Sequence, residues 1–184
     1  MNRLDTKAQQ EKLQYLSYRD ALTNLYNRNR YMSVLENYGQ NKGQLIRNVG
    51  VIYMDLNELK KVNDEQGHEA GDSYIRRAAQ QIVAVFPEHT YRIGGDEFVV
   101  LYPEIEQAEF EYFVSQLQKN AKEHHVNISY GVVWKEVCEN LEDLLTEADK
   151  KCTKIRTLYS NTKHNRRGQI ERNSPLCTAE KKAM

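Results

Sequence analysis

Cysteine is scarce in this chain of 184 residues: Cys138, Cys152 and Cys177 stand alone, separated by gaps of 14 and 25 positions. No CxxC or Cys/His pairing is present, which argues against a zinc site or a disulfide framework and favours reduced, individually placed thiols. Long apolar runs are missing too. The longest are Val49–Met54, Ile82–Phe86 and Phe98–Tyr102, each far short of the roughly 20 residues that span a bilayer. The polar N-terminus lacks the apolar core of a signal peptide, so a cytoplasmic chain with no membrane segment is expected. Charge of one sign is absent overall: 26 basic residues balance 26 acidic ones, and nothing in the total points to nucleic acid. The balance is uneven, because six basic and two acidic side chains in residues 157–184 leave that end at +4 and the remainder at −4.

What is present fits a single globular domain. The length matches a prior of roughly 100–200 residues per domain, and 40% hydrophobic residues are too many for a disordered chain. Residues 1–19 carry Leu4, Ala8, Leu13 and Leu16 in an irregular spacing that predicts a helix without a regular coiled-coil seam. A second helix is predicted from Asn29 to about Tyr38, with a loop over Gly39–Gly43. Val49–Asp55 reads as a buried strand. Gly71–Phe86 has its apolar residues at helical spacing and stops at Pro87. Short strands at His89–Ile93 and Phe98–Tyr102 flank Gly94-Gly-Asp-Glu97, a turn suited to a hairpin. A helix over Glu104–Lys122, a strand over Val126–Trp134 and a last helix from Leu141 to about Leu158 complete the series.

The order from Val49 onward, β-α-β-β-α-β and a final helix, is the split βαβ or ferredoxin-like arrangement of the α+β class. It predicts a mostly antiparallel sheet with helices on one face. Residues 161–184, polar and basic without periodicity, read as a flexible tail. There is no internal repeat.

Two polar segments sit beside apolar strands. The first is Asp55-Leu-Asn-Glu-Leu-Lys-Lys-Val-Asn-Asp-Glu-Gln-Gly-His-Glu-Ala-Gly-Asp72, and the second is Arg92-Ile-Gly-Gly-Asp-Glu-Phe98. In a split βαβ sheet the first strand lies beside the hairpin, which brings Asp55 toward Asp96 and Glu97. Carboxylates converging at a strand end need a cation between them, and hard oxygen donors of this kind suit Mg²⁺ with further ligands from phosphates. Gly94 and Gly95 allow close approach of a ligand to the backbone. Lys60, with the amides of Asn57–Leu59, is suited to terminal phosphates. Taken singly, each position has a plainer reading: a hairpin turn with exposed charges, a strand-end cap at Asp55, a solvated Lys60–Lys61 pair, a turn residue at His68.

Their joint spacing resembles the GGDEF-domain diguanylate cyclases from about Asp20 to Arg156. Asp20-Ala-Leu-Thr-Asn-Leu-Tyr-Asn-Arg28 is similar to the family's opening turn, and Asp55–Asp72 to its DxxxxKxxND…GHxxGD segment. Gly94–Phe98 carries the naming motif intact, Ile128-Ser-Tyr-Gly-Val132 resembles its ISxGV strand, and Ala148-Asp-Lys-Lys151 opens the closing helix. The resemblance implies a nucleotidyl-cyclase or polymerase-palm-like fold with helices around the sheet. It implies a connector helix over 1–19, a catalytic domain over 20–160 and the tail over 161–184. It also implies condensation of two GTP into cyclic di-GMP and two pyrophosphates by a homodimer, with the N-terminal helix leading to an upstream sensor domain or partner.

By the same resemblance Asp55, the Leu56 carbonyl, Asp96 and Glu97 hold Mg²⁺, with Mn²⁺ as a substitute, and Asp96 accepts the proton of the attacking 3′-hydroxyl. Asn63, His68 and Asp72 line the base and sugar pocket, while Lys60 and Arg156 meet phosphate. A carboxylate at Asp72 can accept from both guanine N1–H and N2–H₂, whereas adenine has no matching pair of donors. The sequence departs from the family in three places. Val85 and Glu88 stand where the product-inhibition RxxD lies, which predicts that this feedback is absent. The closing helix reads Cys152-Thr-Lys-Ile-Arg156, with Arg156 in place of a phosphate-binding Lys, and Tyr159-Ser160 replaces the following Gly-Arg. No sensor domain accompanies the motifs. The rivals to a cyclase are a non-catalytic GTP-binding module and an interaction domain built on the N-terminal helix.

Overall fold

A computed structural model describes residues 17–40 and 45–172. Helix α1 (Arg28–Gln40) precedes strand β1 (Ile46–Leu56), followed by helices α2 (Leu59–Gln66) and α3 (His68–Val83). Strands β2 (Thr90–Arg92) and β3 (Glu97–Tyr102) form the hairpin. Helix α4 (Gln107–Glu123), strand β4 (Ile128–Cys138) and helix α5 (Leu141–Arg172) follow. The expected helix over 1–19 falls almost wholly outside the described residues, as do 173–184.

The sheet order is β2-β3-β1-β4 and every pairing is antiparallel. This is the ferredoxin-like topology that the element order predicts. Strand β1 lies between β3 and β4, so its far end, at Asp55 and Leu56, meets the tip of the hairpin on one side and the start of β4 on the other.

The helices cover both faces of the sheet, not one as expected. Ile52, Met54, Leu56, Phe98 and Val100 pack with Ile75, Ala78 and Ile82 of α3 and Phe110, Val114 and Leu117 of α4. On the opposite face, Val49, Val51, Val99, Leu101 and Val133 pack with Leu141, Leu144, Leu145 and Ala148 of α5 and Tyr31 of α1. The reason lies in β1 itself. Its run is apolar at successive positions, so both of its faces must leave water.

Two further differences concern helices. The polar stretch after Asp55, expected only as a site segment, folds into α2 and the first turn of α3, with the chain reversing at Gly67 (φ 86°). Gly71 then lies under the Asn63 amide: a Cβ there would stand 1.9 Å from Asn63 Oδ1. Helix α5 continues past Leu158 to Arg172, so residues 161–172 extend a helix instead of starting an irregular tail.

Close contact between β4 and α5 sets the position of the last helix. A Cβ on Gly131 would stand 1.8 Å from the Ala148 carbonyl oxygen and 2.6 Å from the Cys152 nitrogen. Only a residue without a side chain lets the two backbones approach this far. That approach carries the next turn of α5 over the end of β1.

Candidate active site

Asp55 is the penultimate residue of β1 and pairs in register with Glu97 on one side and Ser129 on the other. It shares the α5 face of the strand with Val49 and Val51, and its side chain is only 7% exposed. Leu56 N–H donates to the Asp96 carbonyl at 2.9 Å, which ties the hairpin tip to the strand end. A carboxylate is thus held in a largely dry position at a sheet terminus, beside a second one.

Burial pushes the Asp55 carboxyl above its ordinary value; Arg156 pulls it back and neighbouring Asp96 raises it, for a net upward shift. Arg156, from the exposed side of α5, reaches in and forms an ion pair between its Nη1 and Asp55 Oδ2. The residues are 101 positions apart. Beneath them, Cys152 Sγ donates to the Ser129 carbonyl at 3.2 Å. Burial, reinforced by the Asp55 charge, pushes that thiol up to about 12, so it is packing and not a nucleophile.

The segment leaving β1 is pinned by polar contacts. Ser129 Oγ donates to buried Asn57 Oδ1 at 3.1 Å, and Asn57 N–H donates to the Asn127 carbonyl at 2.9 Å. Tyr74 OH donates to the Asn57 carbonyl at 3.3 Å and accepts from Asn127 N–H at 2.9 Å. Glu58 takes a left-handed conformation (φ 68°), and its Oε2 accepts from Tyr159 OH at 2.9 Å and Asn127 Nδ2 at 3.2 Å.

These elements surround a cavity of about 550 Å³. Of the residues expected at the site, Asp55, Leu56, Lys60, Asp96 and Arg156 line it. Glu97 does not: Tyr53 OH donates to its Oε1 at 3.5 Å, and Oε2 lies over Gly94. Gly94 and Gly95 likewise fall outside the lining, and the Gly95 carbonyl accepts from Arg92 Nη2 at 2.7 Å. Asn63, His68 and Asp72 sit around the α2–α3 reversal, with His68 exposed and Asn63 packed on Gly71. Wall residues that sequence reasoning did not assign to the site include Lys61, Asp64, Glu65 and Tyr159, while Asn57 and Glu58, expected only for their backbone amides, also contribute side chains. The spacing of Arg156 and Tyr159 on one helix is the signal that could have joined them, since residues three apart share a face.

Among the described residues no group of three or more His, Cys, Asp or Glu side chains is arranged to hold a metal ion. The cavity nevertheless places the carboxylates of Asp55 and Asp96 at the strand end, with those of Glu58, Asp64 and Glu65 and the cations Lys60, Lys61 and Arg156 elsewhere on its wall. That set fits Mg²⁺, which uses one or two carboxylates and completes its shell with water and phosphate oxygens.

An antiparallel ferredoxin-like sheet with paired carboxylates at the junction of its central strand and hairpin defines a nucleotidyl-cyclase-like α+β domain. The family model described as "Diguanylate cyclase, GGDEF domain" matches residues 17–162. The chain belongs to the GGDEF-domain family. It is 37% identical over 114 residues to the cyclic di-GMP phosphodiesterase PdeR of Escherichia coli, covering 59% of this chain and 16% of that protein. It is 34% identical over 138 residues to the diguanylate cyclase DgcS of Shewanella oneidensis, covering 71% of this chain and 47% of that protein. The chain therefore matches less than half the length of either relative. The coiled coil and GGDEF domain of DgcB from Caulobacter crescentus, solved with c-di-GMP, superposes with a TM-score of 0.68 at 20% identity, covering 81% and 85% of the two chains. That likeness concerns the fold. Among the described residues, no helix is long and apolar enough to cross a membrane.

Proposed function

We propose that residues 20–160 form a diguanylate cyclase domain that condenses two GTP into cyclic di-GMP and two pyrophosphates. The observation that carries this reading is the convergence of Asp55, Asp96 and Lys60 on one cavity at the end of β1. Relatives named as diguanylate cyclases support it.

In this reading Lys60 and Arg156 hold the triphosphate, and Asp96 accepts the proton of the 3′-hydroxyl. The hydroxyl oxygen bonds to the α-phosphorus of the second GTP as the bond to pyrophosphate breaks. Asp55, Asp96 and the Leu56 carbonyl would hold Mg²⁺ or Mn²⁺, which when bound supplies charge stabilisation at the reacting phosphate. Asn63, His68 and Asp72 receive the guanosine on the neighbouring α2–α3 wall, with Glu97 and the Gly94–Gly95 backbone at the edge. Two copies of the domain must face one another, because each holds one nucleotide.

One observation favours a second reading, a GTP-binding module without turnover: Asp55 is engaged by Arg156, and Tyr159-Ser160 occupies the place of the family's Gly-Arg. Incubation with GTP and Mg²⁺ over a wide range of protein concentrations separates the two. Product formed faster than linearly with protein supports a dimeric cyclase. Its loss in Asp96→Asn, with the thermal transition intact, assigns the chemistry to this cavity. GTP retained without product supports the binding module.

A further inference from the structure

Asp55 is a buried carboxylate and Arg156 is 46% exposed, yet the two meet. A buried charge left without a partner is strongly destabilising, so some cation must stand at Asp55 whenever it is ionised. Here that cation is the Arg156 guanidinium, which stays charged at any working pH. A divalent ion at the same carboxylate would meet this fixed positive charge within one small cavity. The contact is also reversible by construction. Arg156 sits on the solvent side of α5 at the end of a long, flexible stem, and it lines the same cavity as Lys60. One turn further on, Tyr159 OH donates to Glu58 Oε2 at 2.9 Å, so α5 grips the end of β1 and the segment that follows it, at Asp55 and Glu58.

We infer that Arg156 acts as a resident counter-ion of Asp55 that excludes a divalent cation until a nucleotide triphosphate draws the guanidinium away, so that metal and nucleotide load together. The second half of this inference rests on the GTP-binding reading above; the exclusion of metal by Arg156 does not. Arg156 is a positioning residue in this role, acting through Asp55.

Equilibrium dialysis with Mn²⁺ tests it, first alone and then with a GTP analogue bearing a methylene bridge between the α- and β-phosphorus. Mn²⁺ and analogue are both counted on the protein side. The wild-type chain is expected to retain Mn²⁺ at least tenfold more weakly alone than with the analogue. Arg156→Met is expected to retain Mn²⁺ alone at least tenfold more tightly than wild type, and Asp55→Asn added to it should abolish that gain. Arg156→Lys, which keeps the charge, should exclude Mn²⁺ as wild type does, and Arg156→Gln takes the place of Arg156→Met if the Met variant lacks a thermal transition. Equal Mn²⁺ retention by wild type and the uncharged variants overturns the inference. Absence of analogue from the protein side in every variant instead sinks the GTP-binding reading, while the Mn²⁺-only comparison still decides the role of Arg156.

Discussion

Arg92 binds Asp20 across 72 residues of chain, its Nη1 donating to Asp20 Oδ1 at 2.9 Å while its Nη2 donates to the Gly95 carbonyl at 2.7 Å. The same carboxylate oxygen accepts from Thr23 N–H at 2.9 Å and Thr23 Oγ at 2.6 Å. The opening turn of the domain is thereby fastened to the hairpin that carries Asp96. Burial by itself raises the Asp20 carboxyl, but the hydrogen bonds from Thr23 and Arg92 overcome it and hold it below 3.8.

A depressed carboxyl stabilises the fold above its unfolded value and loses that contribution as pH falls through the folded one. Asp20→Ala should therefore cost about 1.5–3 kcal/mol at pH 7, the range for hydrogen bonds to a charged group. Urea unfolding at pH 7 and in acid checks this. The gap between variant and wild type should narrow in acid, and an unchanged gap would show that the charge is not its source.

Asp55 has the opposite sign. Its folded value lies above 3.8, chiefly through burial, so the protonated form stabilises the fold below that pH and the contribution is lost as pH rises through the raised value. Asp55→Asn should raise the thermal midpoint at pH 7 in the absence of divalent cations, by roughly 2–4 °C for each 1 kcal/mol gained. The gain should vanish in acid, where Asp55 is itself protonated. A site carboxylate that reduces stability is the expected trade-off of a functional position.

Gly131→Ala would drive a methyl into the Ala148 carbonyl and the Cys152 nitrogen. Neither is a flexible side-chain end, so α5 must shift, at a cost of about 1–3 kcal/mol or more. Thermal unfolding should show a clear drop, and Arg156 should lose its register with Asp55. Gly39→Ala is the control: nothing lies within 4 Å of a Cβ there, and its helical position predicts a neutral or slightly stabilising change.

Product feedback through the positions of the family's RxxD should be absent. Val85 packs against the core, and Glu88 Oε2 accepts from Tyr26 OH at 3.2 Å, so no arginine at these positions awaits a phosphate. Titration with cyclic di-GMP should show inhibition that excess GTP relieves. Strong inhibition at saturating GTP would overturn this expectation.

Much of the architecture is legible in local pattern. The run Val49–Met54 reads as a strand, Ile75–Ile82 repeats at helical spacing, and Gly94–Gly95 marks a hairpin, because periodicity and turn chemistry act over a few residues. Their order selects the ferredoxin-like topology, and the spacing of the motifs selects the family. Asp55 and Asp96 could be nominated for the same reason, since they sit at a recognisable strand end and turn, and Lys60 follows in the polar segment just after Asp55.

What surrounds those residues was decided only in three dimensions. Which face α5 covers, and how closely, follows from Gly131 meeting Ala148, a contact between strand and helix that no periodicity encodes. That approach brings Arg156 onto Asp55 and Tyr159 onto Glu58, each across 101 residues. Likewise, Glu97 is adjacent to Asp96 in the chain but lies outside the cavity, because its carboxylate turns to the Tyr53 hydroxyl and over Gly94. Sequence determines the elements and the chemistry they carry; packing of the sheet against α5 determines which charges meet, because an ion pair depends on the distance between side chains and not on their separation along the chain.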